Sequence, residues 1–244
     1  VVYGSMGILP PNIVIDQPVQ PMQIDGVNFV FYNQPGAESP AEMTFSLPDK
    51  KVFNGAENLS RTMHNLLPIR GAKARDALLW AKYLQQSLDL LADTEIFIAQ
   101  HHHPMWGNAR IREFIRVQRD VYKYTHDQTV RLINQGLTAT EIADRISLPE
   151  SLAKQLHSRG YYGDLRHNVK AVYQFYLGFY DGNPARLDPL PPTEAGKRYL
   201  ALIGVEKALS AAQAAFDQGD FRWAAELLNH LVMADANNQQ AKQL

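Results

Sequence analysis

The hydrophobic period of this chain changes near Lys73. Before that point apolar residues alternate or cluster in runs too short for a helix. After it they recur every three to four positions, the period of a helix face. The change predicts strands first and helices after, an α/β part leading into an all-α part.

In the first part, Asn12-Ile13-Val14-Ile15 is a short β-branched run. Met22-Gln23-Ile24 and residues 27–31 flank Asp25-Gly26, a strong hairpin signal. Residues 43–47 alternate in strand period, and Pro48-Asp49-Lys50 turns them into Lys51-Val52-Phe53. In the second part, Ala77, Leu78, Ala81, Leu84, Leu88 and Leu91 form one apolar stripe. A short buried strand, residues 96–99, interrupts the helices. Asn108 reads as the N-cap of a long helix that ends before Gly136. Thr138 and Glu141 have capping-box spacing, Pro149 suits a first turn, and Asp164 reads as the cap of a helix carrying Val169, Val172, Tyr173, Tyr176 and Leu177. Pro189, Pro191 and Pro192 make a stiff linker before two helices, near 205–218 and 222–234. Joined at Gly219-Asp220, these two resemble a tetratricopeptide-type hairpin.

Composition narrows the chemistry. The chain has 244 residues, a net charge of −1 and no cysteine. Thiolate metal sites, disulfides and cysteine nucleophiles are therefore excluded. No overall field favours nucleic acid, and no apolar run approaches the length of a membrane span. The chain starts VVYGSMG and stops at NNQQAKQL, partway through a helical repeat, and is expected to be a fragment or processed piece of a longer protein, the alternative being a shortened paralogue.

The chemistry-bearing residues gather between Gly36 and Gly107, in the clusters Glu38/Glu42, Glu57/His64 and His101/His102/His103. Carboxylates and neutral imidazoles are the ligands of a borderline-soft divalent ion such as zinc. Glu38 and Glu57 lie on either side of one predicted hairpin. Buried together they would repel unless a cation intervened; the other reading is two loop acids in solvent. Side chains alternate along an extended chain, so at most one or two of the three successive histidines can share a centre. An exposed polar loop is the alternative. His64-Asn65 precedes Arg70, Lys73 and Arg75, which fall at or near a helix start. Bases there oppose the macrodipole unless an anion is held nearby; otherwise they form a solvated basic face with Asp76. Tyr161-Tyr162 and the tyrosines from Tyr173 to Tyr180 read as packing and interface residues. No Walker A, GxGxxG or GxSxG motif occurs.

Longer stretches carry a family resemblance. PGAESPAEM, GAENLSRTMHNLLPIRGAKARDA, HHHPMWG, RDVYKYTHDQTVRLINQG, RGYYGDLRHNVKAVYQFYLGFYDGNPA and FRWAAELLNHLVMAD, in this order, resemble the alkylsulfatases of the metallo-β-lactamase superfamily. The resemblance implies that residues 1–107 are the C-terminal part of an αβ/βα catalytic domain. Residues 108–244 would then be an incomplete helical dimerisation domain, giving a homodimer. It implies two zinc ions per active site: Glu38 on one, Glu57 bridging both, His102 on the other, with Asn65, Arg70 and Arg75 facing the sulfate. The implied reaction is hydrolysis of linear primary alkyl sulfates, such as dodecyl sulfate, in a periplasmic or secreted enzyme. The family's H-x-H-x-D-H motif does not occur here, His103 stands where Trp is usual, and Asp164-Leu165-Arg166 replaces a Thr/Ser-containing stretch. The alternatives are a non-catalytic dimerisation module or another hydrolase of the same fold.

Overall fold

The structure, a computed structural model, describes residues 7–244. The chain divides into two compact units, one ending at Asp181 and the other spanning Gly182–Leu244.

The first unit is built on a sheet whose order, among the described residues, follows the sequence: β1 (Val19–Ile24), β2 (Val27–Asn33), β3 (Met43–Leu47), β4 (Val52–Asn54), β5 (Ile96–Ala99) and β6 (His102–Trp106). Asp25 and Gly26 both take positive φ, 48° and 78°. That is the geometry by which a two-residue turn matches strand twist, and it joins β1 to β2 as the Asp-Gly signal predicts. All neighbours are antiparallel except β4 and β5, which are parallel. Parallel strands need a crossover. Here it is the loop of residues 55–76 followed by α1 (Ala77–Leu90).

This topology creates one crowded edge. Strand β2 runs antiparallel to β3, and β3 antiparallel to β4, so β2, β4 and β5 point the same way. Their carboxyl ends share an edge, and the loops leaving them carry Glu38, Glu57 and His101 respectively. Such edges are where α/β sheets collect sites.

Helices α1 and α2 (Asn108–Ile133) cover the sheet. The core joins Phe53, Phe97 and Met105 of the sheet to Trp80, Leu84 and Leu88 of α1 and Ile111, Phe114 and Tyr122 of α2. Trp80 and Tyr122 stack at 4.8 Å with 15° between their planes. Each large apolar side chain so buried contributes roughly 1.5–3 kcal/mol. Then come α3 (Ala139–Arg145), α4 (Glu150–Ala153) and α5 (Leu165–Leu177). The Thr138–Glu141 capping box forms, and Asp164 accepts from the amides of Arg166 and His167.

The second unit packs α6 (Pro192–Ile203), α7 (Val205–Asp217), α8 (Phe221–Ala234) and α9 (Gln239–Gln243) around Leu200, Leu209 and Leu231. Helices α7 and α8 form the expected hairpin, with Asp220 capping α8. No helix among the described residues is long and apolar enough to cross a membrane.

Four local expectations are corrected. The run Asn12–Ile15 lies outside every strand, with Ile13 and Val14 exposed. The exposed polar loop, the alternative for the triple histidine, does not form, because His102 and His103 lie in β6, paired antiparallel to β5. Asn108 does not cap α2 through its side chain, because its amide donates to the carbonyls of Leu91 (2.6 Å) and Thr94 (2.9 Å). Pro192 begins a helix, α6, where a stiff linker was expected.

Candidate metal centre and anion pocket

Three loops converge at the shared sheet edge. Glu38 (β2–β3 loop) and Glu57 and His64 (β4–α1 loop) each offer a ligand atom, all within 4.8 Å of one another. Of the two histidine neighbours, His101 reaches Glu57, with Nε2 3.1 Å from Oε1. His102 stays outside this group: its Nε2 accepts from the Arg61 amide at 2.8 Å and lies 3.1 Å from Ser60 Oγ.

The donor chemistry fits a cation. Nδ1 of His64 lies 2.9 Å from the Asn65 carbonyl, an acceptor only, and 3.1 Å from Arg75 Nη1, a donor only; in the tautomer that bonds the nearer carbonyl, Nδ1 carries the proton and Nε2 keeps its lone pair. That buried Nε2 has no hydrogen-bond partner. Burial holds the imidazole neutral, lowering its pKa to about 4. A ring oriented through a backbone carbonyl, with its second nitrogen free, is the usual posture of a metal-binding histidine. The acids tell the same story. Burial and then the charge of Glu38 push Glu42 up to about 7, with a smaller push from Glu57. A divalent ion relieves that repulsion.

Arg75 organises the inner wall. Its Nε donates to the Glu38 carbonyl at 2.6 Å, and its Nη2 pairs with the Glu38 carboxylate. Its Nη1 donates to the backbone and side-chain oxygens of Asn65 at 2.9 and 2.8 Å. The guanidinium also lies over the Trp80 ring, 5.9 Å from its centroid. The bases fall near the helix start as expected: Arg70, Lys73 and Arg75 all precede Asp76, which caps α1 by accepting from Leu79 at 2.9 Å. Macrodipole and cap therefore agree.

Next to this wall is a cavity of about 220 Å³ lined by Asn65, Leu67, Pro68, Ile69, Arg70, Tyr162 and His167. Arg70 is exposed and donates to the Tyr162 hydroxyl at 3.4 Å. The Arg70 bond, and then Asn65, hold the Tyr162 phenol below its ordinary pKa. The Tyr162 ring stands edge-on to His64 at 4.8 Å. The tyrosine pair 161–162 reads as packing in the sequence; its second member lines this cavity. The signal is the RGYYG setting, whose glycines place an aromatic side chain on a loop instead of in a core.

Residues 138–244 match the family described as alkyl sulfatase dimerisation. A linear primary-alkylsulfatase of Pseudomonas sp. is 46% identical over 99% of this chain. By sequence, the chain is similar over nearly its whole length to alkylsulfatases. It spans 36% of that relative's length. An (R)-specific secondary-alkylsulfatase of Pseudomonas sp. is 47% identical over 97% of the chain, which again covers 36% of the relative. Among solved structures, the stereoselective inverting sec-alkylsulfatase Pisa1 from Pseudomonas sp. superposes with a TM-score of 0.92 at 46% identity, across 96% of this chain and 37% of that one. The family's α/β part and the helical part that follows it are both present in this chain.

Proposed function

We propose that the full-length protein hydrolyses alkyl sulfate esters to alcohol and sulfate at a zinc site, of which this chain supplies part. The observation that carries this reading is the placement of the Glu38, Glu57 and His64 ligand atoms within 4.8 Å of one another, beside the cavity to which the β4–α1 loop brings Asn65 and Arg70. In the proposed ligand set Glu38 and Glu57 would hold zinc together with His64, whose buried Nε2 has no other partner, and His102 would serve the second ion. His102 Nε2 would exchange its bond with the Arg61 amide for the metal. The chemistry that zinc supplies at such a site is Lewis acidity and activation of water near neutral pH.

The chain's own residues bind and orient the ester. Arg70 presents a planar fork able to hold two sulfate oxygens and offset charge at the sulfur centre. The Asn65 amide lines the same cavity, its side-chain oxygen held by Arg75. Arg75 therefore serves sulfate binding through Asn65 and Glu38. Linear primary alkyl sulfates are the proposed substrates. We also propose that residues 1–107 are the catalytic portion, and that residues 108–244, with the exposed Tyr161 and Tyr176, form a homodimer. Aromatic residues are enriched in such interfaces.

The test is turnover by the full-length protein of dodecyl sulfate, a secondary alkyl sulfate and dodecyl phosphate, with and without a chelator. Chelator-sensitive release of sulfate from dodecyl sulfate is expected. Preference for the phosphate would make the protein a different hydrolase, and no turnover at all would leave the dimerisation module.

A further inference from the structure

The loop that carries His64 and Asn65 has almost no regular structure, yet its backbone is buried and must find partners. The partners come from far along the chain. The Met63 amide donates to the Arg159 carbonyl at 3.3 Å, and the Gly163 amide donates back to the Met63 carbonyl at 2.8 Å. Asn168 on α5 then brackets the next peptides. Its Nδ2 donates to the His64 carbonyl and its Oδ1 accepts from the Leu66 amide, both at 2.9 Å. His167 Nε2 donates to the Leu67 carbonyl at 2.8 Å. Asn168 is 1% exposed, so these are bonds of a dry interior.

Contact at Gly163 is closer still. A Cβ there would stand 2.3 Å from the His64 carbonyl carbon and 2.6 Å from the Asn65 nitrogen, so only glycine lets the two backbones meet. Both Gly163 and Asn168 lie within the 138–244 segment matched to the dimerisation family.

We propose that Asn168 is a positioning residue for sulfate binding: it fixes the 64–66 backbone from α5, so the helical segment builds the anion pocket as well as any dimer. The inference rests on the sulfatase reading. Asn168 does not line the cavity; it sets where the Asn65 amide stands. A small misplacement of a substrate-positioning group is enough to lower rate and affinity.

The experiment is Asn168→Asp in the full-length protein. The new carboxylate keeps the acceptor for Leu66 and turns the donor to His64 into a repelling oxygen. Measured are KM and kcat for dodecyl sulfate, the inhibition constant of inorganic sulfate, bound zinc and Tm. Expected are rises of about tenfold in KM and in the sulfate inhibition constant, with zinc unchanged. A lowered Tm with both constants within twofold of wild type would make Asn168 merely structural and overturn the proposal. If the aspartate variant does not fold, Asn168→Ser, which gives up the two bonds without placing a charge in the interior, is judged by the same two constants. A wild-type protein that neither turns over dodecyl sulfate nor is inhibited by sulfate overturns the sulfatase reading and this inference together; an active wild type with an indifferent Asn168→Asp overturns this inference alone.

Discussion

Arg75 holds Glu38 at two points, the carbonyl at 2.6 Å and the carboxylate, with only 11% and 9% of the two side chains exposed. Breaking one partner of a buried pair leaves an uncompensated charge, which costs about 3–5 kcal/mol. Arg75→Ala is therefore expected to lower the unfolding free energy of this chain by about that amount in guanidinium titrations. Arg75→Lys should recover only a fraction, because one ammonium cannot span Glu38 and Asn65 together. A loss below about 1 kcal/mol, the range of a surface ion pair, would show that the pair is solvated.

Arg70 should behave in the opposite way. It is exposed and its hydroxyl partner is at 3.4 Å, so Arg70→Ala should change stability by about 0.5 kcal/mol or less. In the full-length protein the same substitution should reduce kcat/KM for a long-chain alkyl sulfate by roughly 10²–10³. Arg70→Lys should restore part of it, and Tyr162→Phe should cost less than either, since it removes a neutral hydroxyl. A change under about threefold in Arg70→Ala would remove Arg70 from the site.

What could be read from the sequence was local chemistry. Asp25-Gly26, the Thr138–Glu141 box and the Asp164 cap each need only a few adjacent residues, and all three form. Strand β6 was hidden because it is polar and mostly outward-facing, with Met105 its one buried residue. Helix α6 was hidden because its opening prolines also read as a linker, although Pro at the first helical position is a start signal. In the site, the approach of Glu38 to Glu57 followed from strand order. The part played by Tyr162 and Asn168 did not, because no spacing encodes a contact made about a hundred positions away; it comes from how α5 packs back onto the 55–76 loop.

The buried histidines set an acid limit on stability. Burial lowers His64 to about 4 and holds His102 and His157 below their ordinary 6.5. Below about pH 6.5 the unfolded chain takes up protons that these folded imidazoles refuse, so stability is full above that pH and is lost as pH falls through it. Glu42, raised to about 7, works the other way, losing its contribution as pH rises from its ordinary value. His157 isolates one side of this balance. Its Nδ1 lies 2.8 Å from the Arg61 carbonyl, its ring packs on Phe114, and the charges of Arg61 and Arg110 resist protonation. His157→Gln should flatten the fall of Tm between pH 6.5 and 5. An unchanged slope would mean that His157 protonates freely in the folded protein.

Zinc content separates the proposed ligands by role. The proposed roles differ: Glu38 would serve one ion, Glu57 both and His102 the other. In the full-length protein, purified with zinc and dialysed, about two ions per chain are expected in a two-metal site. Glu38→Gln and His102→Gln should each leave about one, while Glu57→Gln should leave almost none. The neutral amide keeps the carboxylate's shape, so a loss of metal reflects lost charge and donor strength, not collapse of the loop. Metal also stabilises whatever fold holds it, by about 2.7 kcal/mol at a free concentration 100 times Kd, so Tm with and without added zinc gives an independent reading. Glu57→Gln should abolish that gain. His102 is the sharpest case, because its Nε2 is engaged by Arg61 and Ser60 and not by the acids. If His102→Gln retains both ions, the second zinc is held without it, and the His101 that already touches Glu57 takes its place in the ligand set.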